Sequence, residues 1–362
     1  MIHHGSDRIL LFTVAGLIVF GLLMVFSTSG ALAAHAFESP TYFLARQGVW
    51  FLLGIAVMLA SSLVPYRVLS SPLVAYMLIL VSVVLLVVAL LSRDVHGAQR
   101  WIFFHGFSFQ PSEFAKWAFI GFLAYSVSSR GEDLQSLRGY LVSLAVLSML
   151  LVLIGLQPDF GMVALLTLVA GAMFFLGGMP WRYVFSLGAM SAAALVVFLF
   201  AAPYRIKRIL TFLDPNSDPL GEGFQIRQSL LAIGSGGIFG KGLGGSEQKL
   251  FFLPEPHTDF MYAIICEELG LWGGLAVLGA FLLILWRGLR TAWKAPDSLG
   301  MLLAAGFTVS VVAQALLHMG VTLNLLPTKG LPLPFLSYGG SSLVMNCAGI
   351  GVLLNVSSHT ES

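Results

Sequence analysis

The segment Pro254-Glu255-Pro256-His257-Thr258-Asp259 sets two carboxylates and an imidazole at alternate positions, directly ahead of an apolar run that starts near Phe260. An acid at the edge of an apolar run loses hydration, which raises its pKa and brings an otherwise weak carboxylate base closer to neutrality. An acid at this boundary, backed by acids inside the apolar run, marks the segment as the place to look for chemistry. On an extended backbone Glu255, His257 and Asp259 would point one way, which also opens a divalent-cation site (Mg or Mn) that includes Asp259. Two more acids, Glu267 and Glu268, follow one to two turns into the apolar run. Charges at such a depth are costly unless they pair or act. They face about 100° apart on a helix, and the sequence gives these two, with Glu255, a supporting role.

Other polar residues could meet a charged substrate. Arg205, Lys207 and Arg208 form a basic cluster, and Lys241 follows in the glycine-rich stretch Gly234–Gly245. Cations of this kind stabilise charge developing on a leaving phosphate. The stretch fails the P-loop pattern. Gly240, Gly242 and Gly245 satisfy G-x-G-x-x-G by accident, with no strand–helix–strand unit around them; a flexible hinge is the plainer reading. Gln225 to Ile233, which includes Gln228 and Ser229, has the pattern of a helix lying in a membrane interface. Arg100 precedes a short amphipathic stretch, and Glu113 and Lys116, at i,i+3, can pair as a brace. Asp159 sits in the break Gln157-Pro158-Asp159. Lys329 and the stretch Ser337–Ser342 precede the last apolar run, where serines suit helix entry.

The elements that must position these groups are membrane helices. The chain is 57% hydrophobic and only 10% charged, with a mean hydropathy of +0.90, against about a quarter charged for a soluble domain. Apolar runs of spanning length, about 20 residues, recur throughout. The expected fold is all-α and polytopic, with ten spans near 9–28, 43–63, 72–92, 113–129, 139–157, 160–178, 183–202, 260–286, 299–320 and 340–356. Residues 1–362 form one membrane domain, and 203–259 form its single large loop. The run Ile9–Phe26 is longer than a signal-peptide core, so it reads as an uncleaved first helix. Basic residues favour the segments holding Arg8, Arg67, Arg130, Arg138, Arg182, Arg287, Arg290 and Lys294; by the positive-inside rule both termini are cytoplasmic and the large loop faces outward. A net charge of +2 gives no case for nucleic-acid binding, and Cys266 and Cys347, both in apolar segments, suggest no disulfide framework.

Four ordered motifs carry a family resemblance: Gln228-Ser229 with Ile233-Gly234-Ser235-Gly236-Gly237, Phe252-Leu253-Pro254-Glu255 with His257-Thr258-Asp259-Phe260, Glu267-Glu268-Leu269-Gly270, and Ser337-Tyr338-Gly339-Gly340-Ser341-Ser342. Together they resemble the SEDS family of bacterial envelope proteins (shape, elongation, division and sporulation). Gln248-Lys249-Leu250-Phe251 and Pro327-Thr328-Lys329-Gly330 resemble its division and sporulation branch more than its elongation branch. Pro256 departs from the family pattern.

The resemblance implies a peptidoglycan glycosyltransferase that polymerises lipid II at the outer face of the bacterial cytoplasmic membrane, partnered by a class B penicillin-binding protein and other divisome proteins. It puts the family's essential acid at Asp259 and matches at Arg100, Glu113, Lys116 and Asp159. Lipid II is α-linked and the polymer β-1,4-linked, so transfer inverts the anomeric centre and asks for one base, for which Asp259 is the candidate. A divalent cation at Asp259 or the loop cations would serve the leaving pyrophosphate. The competing readings are a lipid II flippase or other transporter, a scaffold, and an elongation-type polymerase.

Overall fold

A computed structural model describes residues 6–94, 97–104, 107–129, 137–200, 203–218, 221–250, 252–327 and 330–360. Helices stand at each expected position: α1 (Arg8–Phe37), α2 (Tyr42–Leu63), α3 (Pro72–Leu90), α4 (Pro111–Ser128), α5 (Leu137–Leu156), α6 (Phe160–Leu176) and α7 (Trp181–Phe200). The large loop holds α8 (Pro203–Leu213) and α9 (Glu222–Gly236), and α10 (Met261–Trp293), α11 (Ser298–Thr322) and α12 (Gly340–Ser357) complete the bundle. Among the described residues, seven helices are long and apolar enough to cross a membrane: α1, α2, α3, α5, α10, α11 and α12. The shorter α6 has 17 residues, and the first turns of α4 carry the buried charges Glu113 and Lys116. The amphipathic stretch after Arg100 is a hairpin of β1 (Ile102–Phe104) and β2 (Phe107–Phe109), antiparallel with Ile102 opposite Phe109.

Helix ends are set by local chemistry. Asp7 caps α1 by accepting from Leu10 N at 3.0 Å, Asp297 caps α11 from Gly300 N at 2.7 Å, and Asp159 caps α6 from Met162 N at 3.3 Å. Lipid tails are as apolar as leucine, so helices associate through close packing rather than water exclusion. Between α2 and α12 this requires Gly351, where a Cβ would lie 2.4 Å from the Met58 carbonyl oxygen.

Two features of the loop differ from the sequence expectation. Helix α9 packs one face on the bundle: Ile226, Ser229 and Ala232 are buried, and Ser229 Oγ donates to Thr322 O at 2.8 Å, tying α9 to the end of α11, while Leu230 and Leu231 are exposed. Its apolar face meets protein, and periodicity alone does not distinguish that from lipid. The amphipathic helix with an exposed apolar side is α8, through Ile206, Leu210 and Leu213.

The glycine-rich stretch is a splint for a broken helix. Gly270 breaks α10 with φ +68°, so the usual partners of four peptide groups are lost. The stretch replaces them: Lys241 N and Gly242 N donate to the carbonyls of Glu267 and Glu268 at 3.0 and 2.9 Å, while Leu271 N and Trp272 N donate to Gly237 O and Ile238 O at 2.9 and 3.5 Å. A Cβ on Gly270 would lie 2.4 Å from Gly240 N, and one on Gly240 would lie 2.2 Å from Glu268 O. The glycines thus permit backbone to meet backbone, which neither a hinge nor a phosphate loop requires.

Candidate active site

Asp259 lies where the large loop enters α10. The segment before it is a turn rather than a strand: Thr258 N and Asp259 N both donate to Glu255 O, at 3.2 and 3.1 Å, and Glu255 has φ +50°. Side chains of Glu255, His257 and Asp259 therefore do not alternate onto one face. Among the described residues no group of three His, Cys, Asp or Glu side chains could hold a metal ion. The His257 ring is buried between Phe43 and Tyr338, with centroids 4.8 and 5.6 Å away, and its Nε2 is 3.7 Å from Glu255 Oε2. Burial lowers its pKa, opposed by Glu255.

The turn is fixed from the side by the loop ahead of α12. Ser337 Oγ donates to Thr258 O at 2.7 Å and accepts from Leu333 N at 3.0 Å, while Tyr338 N donates to His257 O at 2.8 Å. Ser337 is thereby a staple, and its proton is committed. Gly330 passes so close that a Cβ there would be 2.8 Å from Asp259 Oδ2.

Arg100 and Asp159 stand opposite. Arg100 Nε donates to Gln157 O at 2.9 Å and one Nη to Pro158 O at 2.6 Å, closing the break that caps α6. Asp159 accepts from Gln110 Nε2 at 3.1 Å, and the Gln110 N–H donates to Ser341 Oγ at 2.9 Å. Burial raises the Asp159 carboxyl above its ordinary range, with Arg100 pulling the other way. At Asp259 burial, then Glu255, pushes the carboxyl up to about 6, against Arg100, with Asp159 adding to the rise and a Thr258 hydrogen bond opposing it. The arrangement is a carboxyl raised toward neutrality by burial, in the field of a guanidinium.

Beneath lies a buried brace. Lys116 Nζ pairs with Glu113 Oε2 at 2.7 Å and donates to Gln314 Oε1 at 2.7 Å, and Gln314 Nε2 donates to Pro332 O at 3.0 Å. The pair binds α4 to α11 and to the loop that staples the Asp259 turn. Gln314 and Asn346, which lies 3.5 Å from Lys116 Nζ, were missed in the sequence; polar residues isolated within apolar spans are the signal that would have found them.

Among the described residues, Lys241, Glu267, Glu268 and Lys207 pair with groups other than Asp259. Lys241 Nζ is engaged by Glu267 Oε1 at 2.9 Å, with Glu247 at 3.6 Å, and its pKa is raised chiefly by the Glu267 hydrogen bond. Glu267 also accepts from Glu247 N at 3.1 Å and from Ser246. Glu268 accepts from Lys249 Nζ at 2.7 Å and Ser27 Oγ at 2.7 Å. Lys207 Nζ is 3.4 Å from Asp218 Oδ1. Gln228 is half-buried on α9 beside Ser229. Lys329 and the side chains of Arg205 and Arg208 lie outside the described residues.

Since Arg100 opposes the rise at Asp259, Arg100→Gln is expected to move the acidic limb of the pH–rate profile upward and to lower the rate. A profile unchanged in position would remove Arg100 from the site's electrostatics.

The fold and site define a multi-pass membrane protein with a desolvated acid, a second acid and an arginine gathered at one end of its helix bundle. The chain belongs to the FtsW/RodA/SpoVE family of cell cycle proteins, whose family model matches residues 8–362. It is 44% identical to the probable peptidoglycan glycosyltransferase FtsW of Trichlorobacter lovleyi, over 97% of this chain and 93% of that one. It is 40% identical to the stage V sporulation protein E of Bacillus subtilis, covering 99% and 98% of the two chains. Among solved structures it is similar to a chain of a peptidoglycan synthase complex that coordinates polymerization and crosslinking, with a TM-score of 0.79, 29% identity and 98% of each chain covered. The rod shape determining protein RodA of Thermus thermophilus matches with a TM-score of 0.73 and 27% identity, covering 99% of each chain.

Proposed function

We propose that this protein is a peptidoglycan glycosyltransferase that polymerises lipid II into β-1,4-linked glycan in septal wall synthesis. The observation that carries the reading is Asp259, raised to about 6 beside Arg100, in a chain 44% identical to a protein named for this activity. Relatives at 44% and 40% identity carry division and sporulation names, while the rod-shape structure stands at 27%; this supports the division branch over elongation.

In the proposed reaction Asp259 takes the proton of the acceptor sugar hydroxyl. The oxygen then attacks the anomeric carbon from the face opposite the pyrophosphate. The new C–O bond forms as the old one breaks, and the lipid pyrophosphate leaves with the electron pair, so the centre inverts. General-base help of this kind is worth about 10²–10⁴-fold. Arg100 is the cation in position to favour the charge that develops. Asp259 and Asp159 would be the residues to hold a divalent cation, Mg or Mn, which would offset the charge of the leaving pyrophosphate; the described residues alone offer no three-ligand group.

In this reading the protein lies in the bacterial cytoplasmic membrane with both termini inside, and the Asp259 end faces outward, where a class B penicillin-binding protein crosslinks the product within the divisome. The test is conversion of lipid II to glycan by the reconstituted protein with that partner. Polymer is the expected product. Movement of lipid II across the bilayer without polymer would put a transporter in its place.

A further inference from the structure

The end of the bundle opposite Asp259 holds a cleft that the polymerase reading does not use. Its 360 Å³ are lined by residues from α1, α10 and α12 and their flanks, including Asp7, Arg8, Arg287, Arg290 and Lys294. That volume falls in the range of about 300–1,000 Å³ usual for ligand pockets. Four cations thus face one carboxylate, and that carboxylate is spent: Asp7 Oδ2 accepts from Arg287 Nε at 2.7 Å and Oδ1 from Leu10 N at 3.0 Å. Arg8, Arg290 and Lys294 are exposed and have no acidic partner among the described residues.

A plainer account would give these cations to topology and to the helix dipole. Arg290 in the last turn of α10 and Lys294 at its C-cap do suit the negative end of that helix. Arg8 does not: it opens α1, where the dipole repels a cation. Its convergence on the same cleft is therefore unexplained by helix electrostatics. The first amides of α1, at Arg8 and Ile9, have no acceptor within their helix, so N–H groups of the kind that bind phosphate are present at the same wall. Trp286 and Trp293 of α10 are 57% and 91% exposed, as befits tryptophans anchored at headgroup level.

We infer that this cleft binds the phosphate-bearing headgroup of an anionic phospholipid, with Arg8, Arg290 and Lys294 as its ligands. The shared chemistry is that of a phosphate ester, and the headgroup is favoured over a soluble phosphate because the cleft sits where membrane helices end. Juxtamembrane cations add their attractions to an anionic lipid surface, so removing two should weaken retention by about 30-fold.

The test uses the full chain in detergent, titrated with phosphatidylglycerol or phosphatidylcholine, with retained lipid counted by native mass spectrometry. The wild type should retain phosphatidylglycerol preferentially, and Arg290→Gln/Lys294→Gln should lose that preference with an unchanged melting temperature. Should the double variant fail to fold, Arg8→Gln carries the same expectation. Equal retention of both lipids by the wild type, or an undiminished preference in a folded variant, would overturn the site. Displacement of the lipid by equimolar glycerol phosphate would overturn the membrane source in favour of a free phosphate.

Discussion

Asp259→Asn should abolish glycan polymer formation while leaving the protein folded, with a loss of at least about 10²–10⁴-fold, the ordinary worth of a general base. The substitution is nearly isosteric and touches none of the staples that hold the turn, which run through the backbone carbonyls of His257 and Thr258. The wild-type rate should climb about tenfold per pH unit below 6 and level off above it, because the base must be ionised and its carboxyl is pushed up to about 6. The Asn variant should show no such limb. Wild-type activity in the variant, at matched folding and partner binding, would move the base to another residue, with Asp159 the first to examine.

The same shift has a consequence for stability. The Asp259 carboxyl is raised on folding, so its ionised form is less favourable in the folded than in the unfolded chain. Stability is therefore lost as pH rises from the ordinary carboxylate range to about 6, and the loss persists above that. At neutral pH the Asn variant should melt no lower than the wild type. A site that weakens the fold to sharpen its chemistry is the usual trade between stability and activity.

Membrane helices and the candidate base were legible because both leave strong local signals. Spans declare themselves by length and apolarity, and the segment holding Asp259 by its place at the edge of one, with the family motif carrying the choice of Asp259 within it. The organisation of the loop was not legible, since it depends on partners distant in sequence. The alternation of Glu255, His257 and Asp259 has meaning only on a strand, and the turn closed on Glu255 O removes it. The apolar face of α9 reads the same whether it meets lipid or α10. Lys241 had the charge expected of a phosphate clamp, but its partner, Glu267, lies 26 residues away. The glycines of 234–245 read as a hinge, while what they meet, the carbonyls before Gly270 and the amides after it, is a tertiary fact.

The intramembrane acids supply the second large effect. Lys249→Met should destabilise the protein by about 3–5 kcal/mol, the usual cost of stranding one member of a buried ion pair. Glu268 is fully buried, and Lys249 Nζ bonds its Oε1 at 2.7 Å, Ser27 Oγ at 3.1 Å and Gly244 O at 2.8 Å. One ammonium therefore joins α1, the large loop and α10 just ahead of the Gly270 break. Without it the Glu268 carboxylate keeps, among the described residues, Ser27 alone in a medium that does not solvate it. Replacing both charges, as Lys249→Met/Glu268→Leu, should return much of the stability, because apolar side chains of similar volume often match a buried pair. Glycan synthesis should follow stability in this series, falling in the single variant and recovering in the double, since neither side chain belongs to the group around Asp259. Thermal unfolding and polymer yield measured on the same three proteins check both points. If Lys249→Met melts with the wild type, the pair does not hold the loop. If the double variant regains stability but no activity, the pair belongs to the chemistry and the reaction site extends into the bundle.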